Sequence, residues 1–357
     1  MLSCPLIRQP DPACFRVGLQ RLHERFTTYS ATSPQPLPAP GLIITPEIRL
    51  QSELYLPINE VRQLFNRLYN ETLSYAPIVS SIPFHASPSW ADCFAGLPVW
   101  LQLSANPARL LEELLADQLL LIRFLFFSFL PGRFNGAGFG RYPDQLNWLR
   151  HWLSNRAESH LRILDAACGS GEGTWELAEL LAETGWQPEQ VQLEGWTLEP
   201  LEIWAAQTQC LPHQPERENL YQQRVQPLRE QGWAERISFN VVDLLEGRTS
   251  SGGFDLILCN GLLGGPIIHR QAELQQVVAL LAGLLTPYGI LLVADHFHGG
   301  WKKQLPTTLL ADLFAGQGLS GREIAGGGLY GQSAKVYSGK CSCPRSTRRN
   351  TKKNKLI

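Results

Sequence analysis

Residues 161–184 read LRILDAACGSGEGTWELAELLAET, and their periodicity changes twice. Leu161, Ile163 and Leu164 form a short apolar run that ends on Asp165, as a strand buried in a sheet would. Gly169, Gly171 and Gly173 follow at alternate positions, where a missing Cβ lets the backbone pass close to a ligand. Leu177, Leu180 and Leu181 then recur at helical spacing. In that order, the unpaired N–H groups of the helix's first turn face whatever sits in the glycine turn. An ordinary strand–turn–helix without a ligand is the plainer reading. Three glycines that cost chain entropy while packing nothing argue against it.

The pattern repeats downstream. VQLEGWTLEP, residues 191–200, alternates and ends on Glu199 before a helix from Pro200 to about Gln209. A carboxylate at the end of a second strand suits paired ribose hydroxyls, because it accepts more than one hydrogen bond. A capping role at the helix start is compatible with this. Residues 214–234 are polar and helical in pattern. ISFNVVD makes a third strand ending in Asp243, and FDLILCN at 254–260 a fourth that ends in Asn260. A helix over 269–286, a fifth strand GILLVAD and a helix over 306–317 follow, and the glycines at 326–328 with SAKVYS suggest a terminal hairpin. Strands alternating with helices imply a parallel sheet covered on both faces. Its ligands belong at the carboxyl ends of the strands, where Asp165, Glu199, Asp243 and Asn260 all fall.

Upstream, the chain is less regular. A short helix is expected near Phe15–Phe26, and Pro34, Pro36, Pro38, Pro40 and Pro46 mark an extended linker. Residues 58–75 look helical, with Val61, Leu64, Phe65, Leu68 and Leu73 on one side. Residues 76–105 give no assignment. Asn106 and Pro107 open a helix that is expected to run unbroken to about Leu130 and to end at Pro131 and Gly132. Glu112, Glu113, Asp117 and Arg123 keep it from supplying the roughly 20 uninterrupted apolar residues of a membrane span. Pro143 begins another helix, preceded by Phe139, Arg141 and Tyr142. The expected organisation is an N-terminal segment and linker (1–46), a mainly helical region (47–135), a ligand-binding α/β region (136–340) and a basic tail (341–357).

Composition sets bounds. The 357 residues are 44% hydrophobic and 18% charged, enough to bury a core and a soft indication of two to three domains. The formal net charge is −1, but the last 13 residues carry six Arg and Lys and no acid, which leaves −7 on the rest. That balance does not indicate a nucleic-acid-binding body. The tail reads as a solubilising end, with nucleic acid or acidic lipid as alternative partners. Eight scattered cysteines and no apolar leader suggest reduced thiols and a cytoplasmic protein. Cys341 and Cys343 are only a weak metal signal.

The turn discriminates between cofactors. A dinucleotide site reads G-x-G-x-x-G, whereas here the pattern is G-x-G-x-G, and Thr174 stands at the position of the third dinucleotide glycine. With Asp165 four positions before the first glycine, the stretch resembles motif I of class I S-adenosylmethionine (SAM) methyltransferases. The resemblance implies a Rossmann-like, doubly wound, mostly parallel seven-stranded sheet with a mainly helical N-terminal region. It also implies that SAM is bound through Asp165, Ala167, Gly169, Gly171, Glu172, Glu199, Asp243, Leu244, Cys259 and Asn260, with Asp243 meeting the adenine amino group. S-adenosylhomocysteine (SAH) would be the product.

Residues 137–300 further resemble the CheR family, which methylates glutamates of chemotaxis receptors. AACGSGEGTWELA is similar to that family's AACSTGEEPYSLA, and FDLILCNGLL to its FDLIFCRNVL. GFGRYPDQLNWLR is similar to its aromatic and arginine motif, which puts Arg141 at the family's active-site arginine. This implies a carboxylate as methyl acceptor. The chain departs from the pattern in three places. Asp165 replaces a Ser, Gly173 replaces a Glu, and Gly265 stands at the family's active-site tyrosine. Arg141, Tyr142, His296 and His298 are the candidates to orient or deprotonate an acceptor, and a carboxylate acceptor needs no base. Three alternatives stay open: a SAM-binding regulatory or scaffold protein without catalysis, a small-molecule O- or N-methyltransferase, and a nucleotide-binding dehydrogenase. The last is disfavoured by Thr174.

Overall fold

The computed structural model describes residues 4–80, 82–130, 138–156, 159–247, 252–265, 267–294, 305–324 and 328–333. Helices dominate the first part: α1 (Arg16–Thr32), α2 (Pro46–Tyr55), α3 (Ile58–Thr72), α4 (Pro83–Ala86), α5 (Trp90–Gly96), α6 (Pro107–Ala116), α7 (Gln118–Phe129) and α8 (Pro143–Ser154). Strands and helices then alternate as β1 (Leu161–Asp165), α9 (Glu172–Glu183), β2 (Val191–Thr197), α10 (Pro200–Thr208), α11 (Pro215–Glu230), β3 (Ile237–Val241) and β4 (Phe254–Leu258). They continue as α12 (Gln271–Leu284), β5 (Leu285–Ala294), α13 (Thr307–Gly316), β6 (Leu319–Ile324) and β7 (Gly328–Ser333).

The seven strands form one sheet in the order β3-β2-β1-β4-β5-β7-β6. The pairs β1–β2, β1–β4, β2–β3 and β4–β5 are parallel, and β7 alone runs antiparallel, between β5 and β6. The expected mixed, mostly parallel seven-stranded sheet is therefore observed. Successive residues of the central strands bury on opposite faces. Leu256 and Leu258 of β4 belong to one core, with Leu193 and Trp175, while Ile257 belongs to the other, with Val277 and Phe314. A strand buried on both sides has no polar face, which is why β1 and β4 read as continuous apolar runs. Sequential strands pair outward from β1 in both directions, so the chain reverses its winding between β1 and β4, at the sheet's centre. Ligand crevices form at such a reversal, outside the strands' carboxyl ends.

The N-terminal helices share a core with one face of the sheet. Phe65, Trp90 and Phe124 lie in the same buried cluster as Leu161, Ile163 and Leu193 of the sheet. Phe126 of α7 packs edge-on against Trp204 of α10, with ring centroids 5.4 Å apart.

Several expectations are corrected. The helix expected to run unbroken from Pro107 to Leu130 breaks at Asp117, which adopts extended backbone and accepts hydrogen bonds from the N–H groups of Leu119 and Leu120. A carboxylate that can cap a new helix competes with continuing the old one. Residues 76–105, which give no assignment from sequence, hold α4, α5 and two short 3-10 turns. Pro46, placed in the linker, is instead the first residue of α2, capped by Thr45. β3 ends at Val241, so Asp243 lies in the following turn, where it accepts the Leu245 N–H at 2.8 Å. The terminal hairpin is formed by β6 and β7, with β7 running from Gly328 to Ser333, the first residue of SAKVYS; the rest of that segment lies outside the described residues. The tail, Cys341 and Cys343 lie outside the described residues, and no described helix is long and apolar enough to cross a membrane.

Candidate functional site

A cavity of about 700 Å³ opens at the carboxyl ends of β1, β2 and β4. Its floor is the turn that follows β1. The chain leaves Asp165, runs through Ala167 and Cys168, and turns at Gly169 with φ of 51°. Gly171, with φ of +86°, starts α9, and a Cβ there would lie 2.5 Å from the Ala206 Cβ and 2.9 Å from the Tyr221 hydroxyl. Only glycine combines that left-handed backbone with that close approach. Gly171 thus packs behind the turn, while Gly169 and Gly173 line the cavity.

Asp165 is buried under this turn. Thr174 donates its hydroxyl to Asp165 Oδ2 at 2.8 Å. Burial still pushes the carboxyl up to about 6, and this hydrogen bond together with one from the Ala167 backbone only partly offsets it. The residue that separates this turn from the dinucleotide pattern is thus tied to its acid. Glu199 lies at the end of the loop after β2. Its Oε1 accepts the Leu201 N–H at 3.1 Å and the hydroxyl of Tyr75, a residue just beyond α3. Burial raises Glu199 to about 7. Glu202, one turn further along, also lines the cavity, accepts the Thr197 hydroxyl, and is raised to about 7 by burial and by the neighbouring Glu199.

The other wall is built by the stretch ahead of α8 and the loop after β4. Gly140 donates its N–H to Glu176 of α9 at 2.7 Å, which anchors the segment carrying Arg141 and Tyr142. The Arg141 guanidinium lies 5.3 Å from the centroid of the Tyr142 ring, and a Cβ on Gly261 would lie 3.5 Å from it. Gln145 and Asn260 exchange both amide hydrogen bonds, at 3.0 and 2.6 Å, and Asn260 Oδ1 also accepts the Ala294 N–H at 2.9 Å. That reciprocal pair locks α8 to the ends of β4 and β5.

Of the candidate residues, Arg141, Tyr142, Asp165, Ala167, Gly169, Glu172, Glu199, Asp243, Leu244 and Asn260 all line this cavity. Gly171 and Cys259 do not. The Cys259 side chain is fully buried in the sheet core on the α12 side. Glu172 is already engaged: Arg217 of α11 grips both its oxygens, and Ser170 donates to Oε2 at 2.9 Å. His296 and His298 lie outside the described residues. The Gly264–Gly265 turn is tight, since a Cβ on Gly264 would lie 2.5 Å from the Leu305 Cβ.

Four participants escape the sequence reading. Glu202 stands in plain view three residues after Glu199 at a helix start, and Gln145 is a polar residue on the buried side of α8. Arg217 and Tyr75 have no local signal, because each meets its partner only through the fold. Ile78, Ala86 and Phe129 likewise come from the helical region and cover the cavity. Among the described residues no group of three or more His, Cys, Asp and Glu side chains forms a metal site.

No family model matches the chain, and no curated protein matches it. Solved structures similar to it include a TehB-like SAM-dependent methyltransferase from Corynebacterium glutamicum, at 17% identity over 58% of this chain and 92% of that one, with a TM-score of 0.36. Another is SAM-bound CalS10, an amino pentose methyltransferase from Micromonospora echinaspora, at 14% identity over 54% of this chain and 92% of that one, with a TM-score of 0.37. A third is the [4+2]-cyclase SpnF, at 18% identity over 52% of this chain and 61% of that one, with a TM-score of 0.34.

Proposed function

We propose that this protein is a SAM-dependent methyltransferase whose acceptor is a small molecule held beneath the N-terminal helical region. The observation that carries the reading is convergence. Asp165, Glu199, Asp243 and Asn260, each at or just beyond the end of a different strand, line one cavity with the glycine turn. The cavity, at about 700 Å³, falls within the size range of small-molecule and cofactor sites.

The residues fit the cofactor. Two buried carboxylates face the cavity, Asp165 beside the glycine turn and Glu199 beyond β2. They suit an ammonium group and a vicinal diol respectively, as the amino-acid end and the ribose of SAM present. Asp243 and Leu244, which line the cavity just after β3, suit an adenine edge. When bound, SAM supplies a methyl group activated on a sulfonium. The chain's own residues then position the acceptor and exclude water. Ile78, Ala86 and Phe129 close the cavity with apolar surface, which favours a small molecule over a protein side chain. Among the described residues Arg141 pairs with no carboxylate, so an anionic group on the acceptor suits it. The Tyr142 ring, with its centroid 5.3 Å from the guanidinium, offers it a cation–π contact.

Calorimetric titration with SAM, SAH and NADH tests the cofactor assignment. Micromolar binding of SAM and SAH that is lost in Asp165→Ala and Glu199→Ala supports it. Binding of NADH alone, or of none of the three, removes it. Transfer of a labelled methyl group to small carboxylic acids tests the acceptor class.

A further inference from the structure

The N-terminal region reaches the cavity's edge through the hydroxyl of Tyr75. Tyr75 sits three residues beyond the end of α3, packed against the core that the helices and the sheet share. Its hydroxyl donates to Glu199 Oε1 across 124 positions of sequence. The same oxygen accepts the Leu201 N–H at 3.1 Å. A carboxylate oxygen offers two lone pairs, so these two donors fill Oε1. No hydrogen bond to Oε2 occurs among the described residues, and Glu199 lines the cavity. The chain just beyond Tyr75 then supplies Ile78 and Ser80 to the cavity wall.

We infer that Tyr75 is a positioning residue for the cofactor's ribose: it fills one oxygen of Glu199 so that the other is turned to the ribose hydroxyls, and it thereby joins the covering segment to cofactor binding. The inference rests on the SAM reading of the site. A phenol is well suited to this task. It holds a buried carboxylate without introducing a charge, so Glu199 keeps its full capacity to accept. An arginine or lysine there would neutralise it. Tyr75 is itself held in the neutral form, since burial and the adjacent Glu199 both raise its pKa. A tyrosine that instead competed with ribose for Glu199 would be a latch, and removing it would tighten binding.

The test is a double-mutant cycle on the full chain, with SAH as the titrant. Tyr75→Phe removes only the hydroxyl. It is expected to weaken SAH binding about tenfold, the worth of one hydrogen bond to a charged group. Glu199→Gln is expected to weaken it by at least as much. In the double variant the loss should equal that of Glu199→Gln alone, because Tyr75 acts only through that carboxylate. A purely structural Tyr75 would instead lower the melting temperature and give losses that multiply. Unchanged or tighter SAH binding by Tyr75→Phe, or multiplying losses in the double variant, overturns the inference. If the wild-type chain binds no SAH at all, the cofactor assignment itself fails, which is a separate outcome.

Discussion

Thr174 donates its hydroxyl to Asp165 Oδ2 at 2.8 Å, and both residues are buried beneath the glycine turn. Thr174→Val keeps the shape and deletes the donor, leaving a buried acceptor short of one partner. The expected cost is about 1 kcal/mol of stability by denaturant titration. Asp165, already at about 6 because of burial, loses a hydrogen bond that favours its charged form and rises further. SAM affinity should therefore fall at pH 7 and recover by about pH 8.5. A pH-independent loss would contradict this account. Thr174→Gly should not create NADH binding.

Cofactor binding is expected to release protons. In the free protein burial holds Glu199 at about 7 and Asp165 at about 6. Hydroxyl and ammonium donors stabilise the ionised forms and lower both values. Affinity should then rise as pH rises from about 5 to about 8 and level off above. At pH 6.5 the titration enthalpy should differ between Tris and phosphate by the heat of transferring roughly one proton to buffer. Equal enthalpies in the two buffers would rule the linkage out.

His213 sets an acid limit on stability. It is buried, with its ring 6.2 Å from that of Phe126, and burial, reinforced by Arg217 and Arg123, lowers it to about 4. A folded pKa below the unfolded value means that the unfolded chain takes up the proton first. The stability from neutral His213 is therefore present above pH 6.5 and lost as pH falls towards 4. The raised carboxylates act in the opposite sense, so the comparison must be with a His213→Leu variant. Relative to that variant, the wild type should lose about 2 kcal/mol between pH 7 and pH 5, read by urea unfolding. Parallel curves would refute the assignment.

Gly171→Ala should be costly and Gly185→Ala mild. At Gly171 the added carbon meets Ala206 and Tyr221 within 3 Å at a φ of +86°, whereas at Gly185, with φ of +91°, nothing lies within 4 Å. Strain alone amounts to about 1 kcal/mol, and the clash adds about 1–3 kcal/mol more. Thermal melts of the two variants separate the terms, and equal shifts would mean that packing behind the turn is slack.

What could be read in the sequence follows the range of the forces involved. The β1–turn–α9 unit and the alternation of strands and helices rest on periodicity within a few residues, and the acids after each strand inherit their convergence from the sheet's parallel order. The break at Asp117 escapes the pattern because the apolar repeat of α6 continues into α7 without interruption, and only the competition between a cap and the running helix decides it. The cover over the cavity is unreadable for another reason. Residues 76–105 hold short elements with no sustained period. The contacts Tyr75–Glu199, Arg217–Glu172 and Gln145–Asn260 join residues 124, 45 and 115 positions apart, and no local pattern encodes such pairings.

One buried cluster holds Phe65, Trp90 and Phe124 together with Leu193 and Trp175. The helical region is therefore not a module that evolution or an experimenter can exchange freely. Cutting the chain before α8 would strip apolar cover from Trp204 and Leu193 and leave a sticky sheet face, and the fragment should precipitate where the intact chain does not. Heating the intact chain should give one cooperative melt, with a ligand in the cavity protecting amides in α3 as well as in β1 from hydrogen exchange. Whatever occupies the cavity would then be felt some 100 residues upstream of the glycine turn, by a helix that never touches it.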